Sequence, residues 1–228
     1  MMNPALKDRR YGEFSGLLSP GKTKFIINIP KNASSYIHDW AHEYGWLTTS
    51  LVNDDWNAVK QLTVVLRDPV ERWISGMAQY LKTYVLCPVG DNGPIYSNSP
   101  WANNVENIAL SAQEFIDFYN ISTERLIFDN VYRFDDHVWP QYAFFQNLRP
   151  YIERKYFMLD ENFDKKFAPY IGGPPAPNAN LNKGSEDFNT RTLQIFLKNL
   201  LDNSPNLLNR VKDAYKEDYA LINQAFNK

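Results

Sequence analysis

The sequence predicts an α/β fold, a mostly parallel sheet flanked by helices, and three observations carry that reading. A nearly continuous β-branched run, Phe25-Ile26-Ile27-Asn28-Ile29, breaks at Pro30 and gives way to Ile37, Trp40, Ala41 and Tyr44 at helical intervals. The same change of period follows Leu62-Thr63-Val64-Val65-Leu66, after which Val70, Trp73, Ile74, Met77 and Leu81 mark one side of a helix. Both apolar runs have the continuity expected of strands covered on two faces. Strands alternating with helices make parallel units, and ligands gather at the carboxyl ends of such strands.

Taken in order, residues 1–24, rich in Gly, Pro, Ser and Lys, read as an extended lead-in to the first strand. The first helix is expected from about Ser34 to Tyr44, stopped by Gly45. Trp46–Leu51 suits a second strand, the polar Asn53-Asp54-Asp55 a turn, and a short helix leads to the strand at 62–66. Pro69 stands at a favoured first-turn position of the second helix. Residues 87–104 are too broken for a helix or a long strand and read as a long loop, a possible lid over an acceptor. Tyr84, Tyr96 and Trp101 there either stack on sugar rings or pin the loop to the core. A helix is expected from Ser111 to about Tyr119, a strand at Tyr156–Leu159, a Pro/Gly-rich connector at 172–185, and two amphipathic helices to the end of the chain.

Composition bounds the function. A chain of 228 residues with 44% hydrophobic content can bury one substantial core, so a single domain over 1–228 is expected. A net charge of −2 and a pI near 5.9 provide no basic field for nucleic acid, and a polyanionic acceptor would need a local basic patch. Cys87 is the only cysteine, which rules out an internal disulfide framework and thiolate-rich metal sites. With a polar, charged start and no apolar run of membrane-spanning length, the expectation is a cytoplasmic protein.

The stretch Pro30-Lys31-Asn32-Ala33-Ser34-Ser35 carries the first chemistry. A helix starting at Ser34 or Ser35 leaves its first N–H groups unpaired and its positive end exposed, with hydroxyls and the Lys31 ammonium beside it, which is an anion site. The stretch lacks both glycines and the Lys-Ser/Thr order of the nucleotide-binding pattern G-x-x-x-x-G-K-[ST]. His38-Asp39-Trp40-Ala41-His42 approaches the zinc pattern H-E-x-x-H but has Asp in place of the glutamate and no evident third ligand, so no metal site is assigned.

Two stretches together, Pro30-Lys31-Asn32-Ala33-Ser34-Ser35 and Arg67-Asp68-Pro69-Val70-Glu71-Arg72-Trp73-Ile74-Ser75, fit patterns that occur in this order in a known family. On these residues the chain resembles the sulfotransferases that use 3′-phosphoadenosine 5′-phosphosulfate (PAPS), in particular the carbohydrate-type branch. His137, Pro140 and Gln141 fit its H-[WF]-x-P-Q element, with the tryptophan displaced to Trp139. Tyr215-Lys216-Glu217-Asp218-Tyr219 is similar to its closing Y-x-x-D-Y.

The resemblance implies a P-loop-like nucleotide-binding sulfotransferase fold and transfer of a sulfuryl group from PAPS to a hydroxyl of a sugar or glycan. Lys31 would stabilise charge on the leaving phosphate, Ser35 and the N–H groups of Asn32, Ala33 and Ser34 would cradle that phosphate, and Arg67 with Ser75 would hold the 3′-phosphate. Lys183 and Gly184 would belong to a loop closing over the nucleotide. Arg72 can instead be structural, and no metal is needed where cations carry the charge. A hydroxyl acceptor needs a base, for which His137 beside Asp135 and Asp136 is the candidate, with Glu43, Asp54 and Asp55 as substitutes; His137 can equally anchor its loop. Two other readings stay open: an atypical phosphate-loop kinase, marked by ATP hydrolysis and a magnesium requirement, and a nucleotide-binding scaffold without turnover.

Overall fold

The computed structural model describes residues 14–51, 55–82, 136–145, 151–175 and 188–226. The loop expected at 87–104 with Tyr84, Tyr96 and Trp101, the helix expected at 111–119, and Asp54, Lys183 and Gly184 lie outside the described residues. The chain divides into two compact units, one of residues 1–68, 140–181 and 217–228, the other of 69–139 and 182–216.

The first unit is built on a sheet that has five strands among the described residues. In chain order they are Phe14–Leu18 (β1), Lys24–Ile27 (β2), Leu47–Leu51 (β3), Gln61–Leu66 (β4) and Glu153–Met158 (β5), and they lie in the order β3-β1-β2-β4-β5. β2 runs parallel to β4 and β4 parallel to β5, whereas β1 is antiparallel to both β2 and β3. The sheet is therefore mixed, not mostly parallel, and the lead-in supplies the difference. Residues 14–18 form a strand, and the Pro, Gly and Ser after them are turn chemistry. The Lys22 N–H donates to the Ser19 carbonyl (2.8 Å), the Ser19 N–H to the Lys24 carbonyl (3.0 Å), and Lys22 takes a left-handed φ of 55°, which closes a hairpin into β2. Because β2 and β3 are both antiparallel to β1, they point the same way. The four strands expected from the apolar runs thus share one direction, and β1 is inserted among them.

Ser34–Glu43 forms α1, which connects β2 to β3. It ends where the sequence predicts, with Gly45 at φ 75° donating its N–H to the His42 carbonyl (3.0 Å), a conformation that glycine adopts without Cβ strain. Asp55–Asn57 is one turn of 3-10 helix, and Phe163–Ile171 forms α3, numbered after the α2 of the second unit. Leu17, Ile26, Val65 and Phe157 of the sheet make one core with Ile37, Trp40 and Ala41 of α1 and with Phe163, Phe167, Tyr170 and Ile171 of α3. On β4, Leu62, Val64 and Leu66 alternate with Thr63 and Val65 and all five are buried, which explains the unbroken apolar run in the sequence. Thr63 is accommodated by a hydrogen bond to the Tyr170 hydroxyl. Burial pushes the pKa of that hydroxyl up to about 12, so it stays protonated.

The second unit contains Pro69–Tyr80 (α2), a 3-10 helix at Asp136–Val138, Phe188–Asp202 (α4) and Pro205–Ala214 (α5). Trp73, Ile74 and Met77 of α2 pack with Val138, with Leu193, Leu197 and Leu201 of α4, and with Leu207 and Val211 of α5. Lys216–Phe226 forms α6, which after Lys216 belongs to the first unit. The described end of the chain therefore holds three helices where two were expected. Pro205 at a first-turn position opens α5, and Tyr215 ends it while its buried ring continues the apolar pattern. The periodicity ran through a break that it could not reveal.

Candidate functional site

The loop between β2 and α1 has no glycine, yet Lys31 (φ 67°) and Ala33 (φ 58°) both adopt the left-handed conformation. For L-residues this costs about 1–2 kcal/mol each, so the surroundings must fix it. Asn32, between them, does so. It is buried, its N–H donates to the Ile29 carbonyl (3.2 Å), and its side-chain Nδ2 donates to the Val65 carbonyl (2.7 Å) and to Gln141 Oε1 (2.6 Å).

Gln141, also fully buried, is the hub of this arrangement. Besides the Asn32 amide, its Oε1 accepts the Arg67 N–H (2.9 Å), and its Nε2 donates to the Arg67 carbonyl (2.9 Å) and to Asp218 Oδ2 (3.4 Å). Gln141–Phe144 is a 3-10 helix whose first N–H groups need acceptors from outside the turn. Buried Asp218, in the first turn of α6, provides them: Oδ2 accepts the Gln141 N–H (2.8 Å) and Oδ1 the Tyr142 N–H (2.9 Å). Two segments far away in sequence, at Gln141 and Asp218, thereby hold the loop and the end of β4 in register.

The loop and the end of β4 are also joined directly. Arg67 Nη1 donates to the Lys31 carbonyl (3.1 Å), which orients the guanidinium beside the loop. α1 begins at Ser34 with no side-chain cap and no acidic residue in its own first turn, so the helix itself supplies no counter-charge to its positive end. Ser34 is half-buried and Ser35 exposed. Lys31, Ala33, Ser34, Ser35 and Arg67 thus lie in or beside the loop that leads into α1, while Asn32 turns inward and holds the loop from behind.

Ser75 and His137 belong to the second unit, where Ser75 is half-buried on α2 and His137 sits in the 3-10 helix at Asp136–Val138. A Cβ on Gly76 would lie 2.5 Å from the His137 carbonyl oxygen, so α2 packs its glycine against that backbone. Arg72 is fully buried and donates to the Trp139 carbonyl, which agrees with a structural role. Glu43 is exposed at the last position of α1.

His38 and His42 lie one turn apart on α1 with ring centroids 6.0 Å apart, both reaching Thr48 of β3, at 2.8 Å from His42 Nε2 and 3.4 Å from His38 Nδ1. Burial, and then the proximity of His42, hold the His38 imidazole below its ordinary pKa against the opposing pull of Asp39. Among the described residues, no three His, Cys, Asp or Glu side chains gather as a metal site requires.

Gln141 and Asp218 are the residues that sequence reasoning did not place at the site. The available signal was their position inside the Pro140-Gln141 and Tyr215-to-Tyr219 elements, each of which contains a polar residue that the structure buries. No family model, no curated protein and no solved structure matches the chain. Among the described residues, no helix is long and apolar enough to cross a membrane.

Proposed function

We propose that the chain is a sulfotransferase that moves a sulfuryl group from PAPS to a hydroxyl of a carbohydrate-like acceptor. The observation that carries this reading is the tie between the two sequence stretches. Lys31 and Arg67 stand at the carboxyl ends of adjacent parallel strands, linked by the Arg67 guanidinium and clasped together through Asn32 and Gln141. Two cations beside one open helix terminus suit a ligand with two separate phosphate groups, because the helix end takes one and the guanidinium fork the other.

The nucleotide supplies the sulfuryl group; the chain supplies charge and position. As the acceptor oxygen bonds to sulfur and the bond to the 5′-phosphate breaks, negative charge grows on the leaving oxygen, where Lys31 and the N–H groups of Ala33, Ser34 and Ser35 are suited to meet it. Arg67 holds the 3′-phosphate in this reading, and Ser75, Lys183 and Gly184 keep the roles that the resemblance implies. The acceptor proton passes to a base, with His137 the first candidate.

Calorimetry tests the reading. Adenosine 3′,5′-bisphosphate should bind much more tightly than AMP, since AMP leaves the second cationic site without its anion. Equal affinity for the two, or preference for ATP with magnesium, refutes it.

A further inference from the structure

Behind the loop lies a pocket of about 10 Å³, room for roughly one water molecule, lined in part by Asn28, Asn32, Ser34 and His38. Two buried side-chain oxygens at this pocket, Asn28 Oδ1 and Asn32 Oδ1, are reached by no donor among the described residues. The Asn32 oxygen is not an amide built the wrong way round, because the network fixes its orientation. The Arg67 N–H can only donate and its carbonyl only accept, which sets Gln141 with Oε1 toward the former and Nε2 toward the latter. Oε1 and the Val65 carbonyl are both acceptors, so Asn32 must turn its NH2 group to them and its oxygen away. Asn32 is only 2% exposed, and a buried acceptor of this kind is normally satisfied.

The occupant must therefore donate a hydrogen bond to Asn32 Oδ1 and be no larger than water. An anion is repelled by two amide oxygens. A metal cation finds no carboxylate in the lining and sits beside the positive end of α1. We infer that the pocket binds one water molecule, which donates one proton to Asn28 Oδ1 and the other to Asn32 Oδ1. This water ties the segment just after β2 to the interior of the loop and completes the support for the left-handed residues on either side of Asn32. It is part of the fold, independent of any nucleotide.

A high-resolution crystal structure of the full chain and magnetic relaxation dispersion in solution test this together. The expected result is a single water within hydrogen-bond distance of both oxygens and a long-lived internal water that disappears in Asn28→Leu, which removes an acceptor and fills the space. Should Asn28→Leu fail to fold, Asn28→Asp, which keeps an acceptor, should keep the water. An empty pocket, a donor side chain of the chain itself seated there, or thallium density replacing the peak overturns the inference, as does Asn28→Leu with an unchanged count of long-lived waters.

Discussion

Replacing Gln141 by leucine removes the hub of the loop network while nearly conserving volume, so the loss reports hydrogen bonding and not a cavity. Four groups lose a partner: the Arg67 N–H, the Arg67 carbonyl, one hydrogen of the Asn32 amide, which keeps its bond to Val65, and Asp218 Oδ2, which keeps the Gln141 N–H. A buried polar group left unmade costs about 1–3 kcal/mol, and since the Arg67 main chain is only partly buried, water relieves some of that cost. The expected destabilisation is about 2–4 kcal/mol, read as a lower urea midpoint at unchanged slope. Gln141→Glu is the companion variant. It keeps the acceptors but loses both donated bonds and sets a second carboxylate beside Asp218, so its deficit should shrink as acid protonates one of the pair. If Gln141→Leu lies within about 1 kcal/mol of wild type, the network does not hold the loop and the argument fails.

Lys31→Ala should reduce sulfuryl transfer far more than it weakens binding of adenosine 3′,5′-bisphosphate, because its partner is charge that develops only in the transition state; equal losses in both assays would make Lys31 an anchor. Ala33→Gly should stabilise the chain by about 0.5–1 kcal/mol, the relief of left-handed strain outweighing the entropy that glycine adds to the unfolded state, and an unchanged or lower melting temperature contradicts this. His38 carries a folded pKa below its unfolded value near 6.5, so the unfolded chain takes up the proton first: its effect vanishes above about pH 6.5, and stability falls as pH drops through that value toward the folded pKa. His38→Gln should flatten that acid loss in thermal melts between about pH 7 and 5, and parallel wild-type and variant profiles would refute the assignment.

The sequence was most legible where one period ran unbroken. α1, β4 and α2 lie within a residue or two of expectation because Trp40, Val65 and Trp73 sit in apolar patterns that buried elements demand and that their cappers, Gly45 and Pro69, agree with. β1 was illegible for the opposite reason. Its five residues are short of a pattern, Gly16 weakens the strand signal, and it is defined by its neighbours: pairing to β2 on one side and β3 on the other makes it a strand. Lys31, Ser35 and Arg67 could be read as site residues because charge and hydroxyls at strand ends have few structural uses. Gln141 could not, since its role depends on contacts 109 residues away at Asn32 and 77 residues away at Asp218.

That dependence explains how the loop works without glycine. A glycine-rich phosphate loop reaches left-handed φ values locally and at no steric cost. Here Lys31 and Ala33 reach them at a cost that only tertiary contacts can offset, and those contacts come through Asn32 from Val65 and from Gln141, which Asp218 holds in turn. The loop is consequently formed only when the whole first unit is folded. In exchange, the left-handed position at 31 carries a lysine side chain in the loop just before α1, where glycine would carry none. The main-chain carbonyl of Lys31 in this turn accepts from Arg67, so the guanidinium is oriented by the backbone of the loop that carries the lysine.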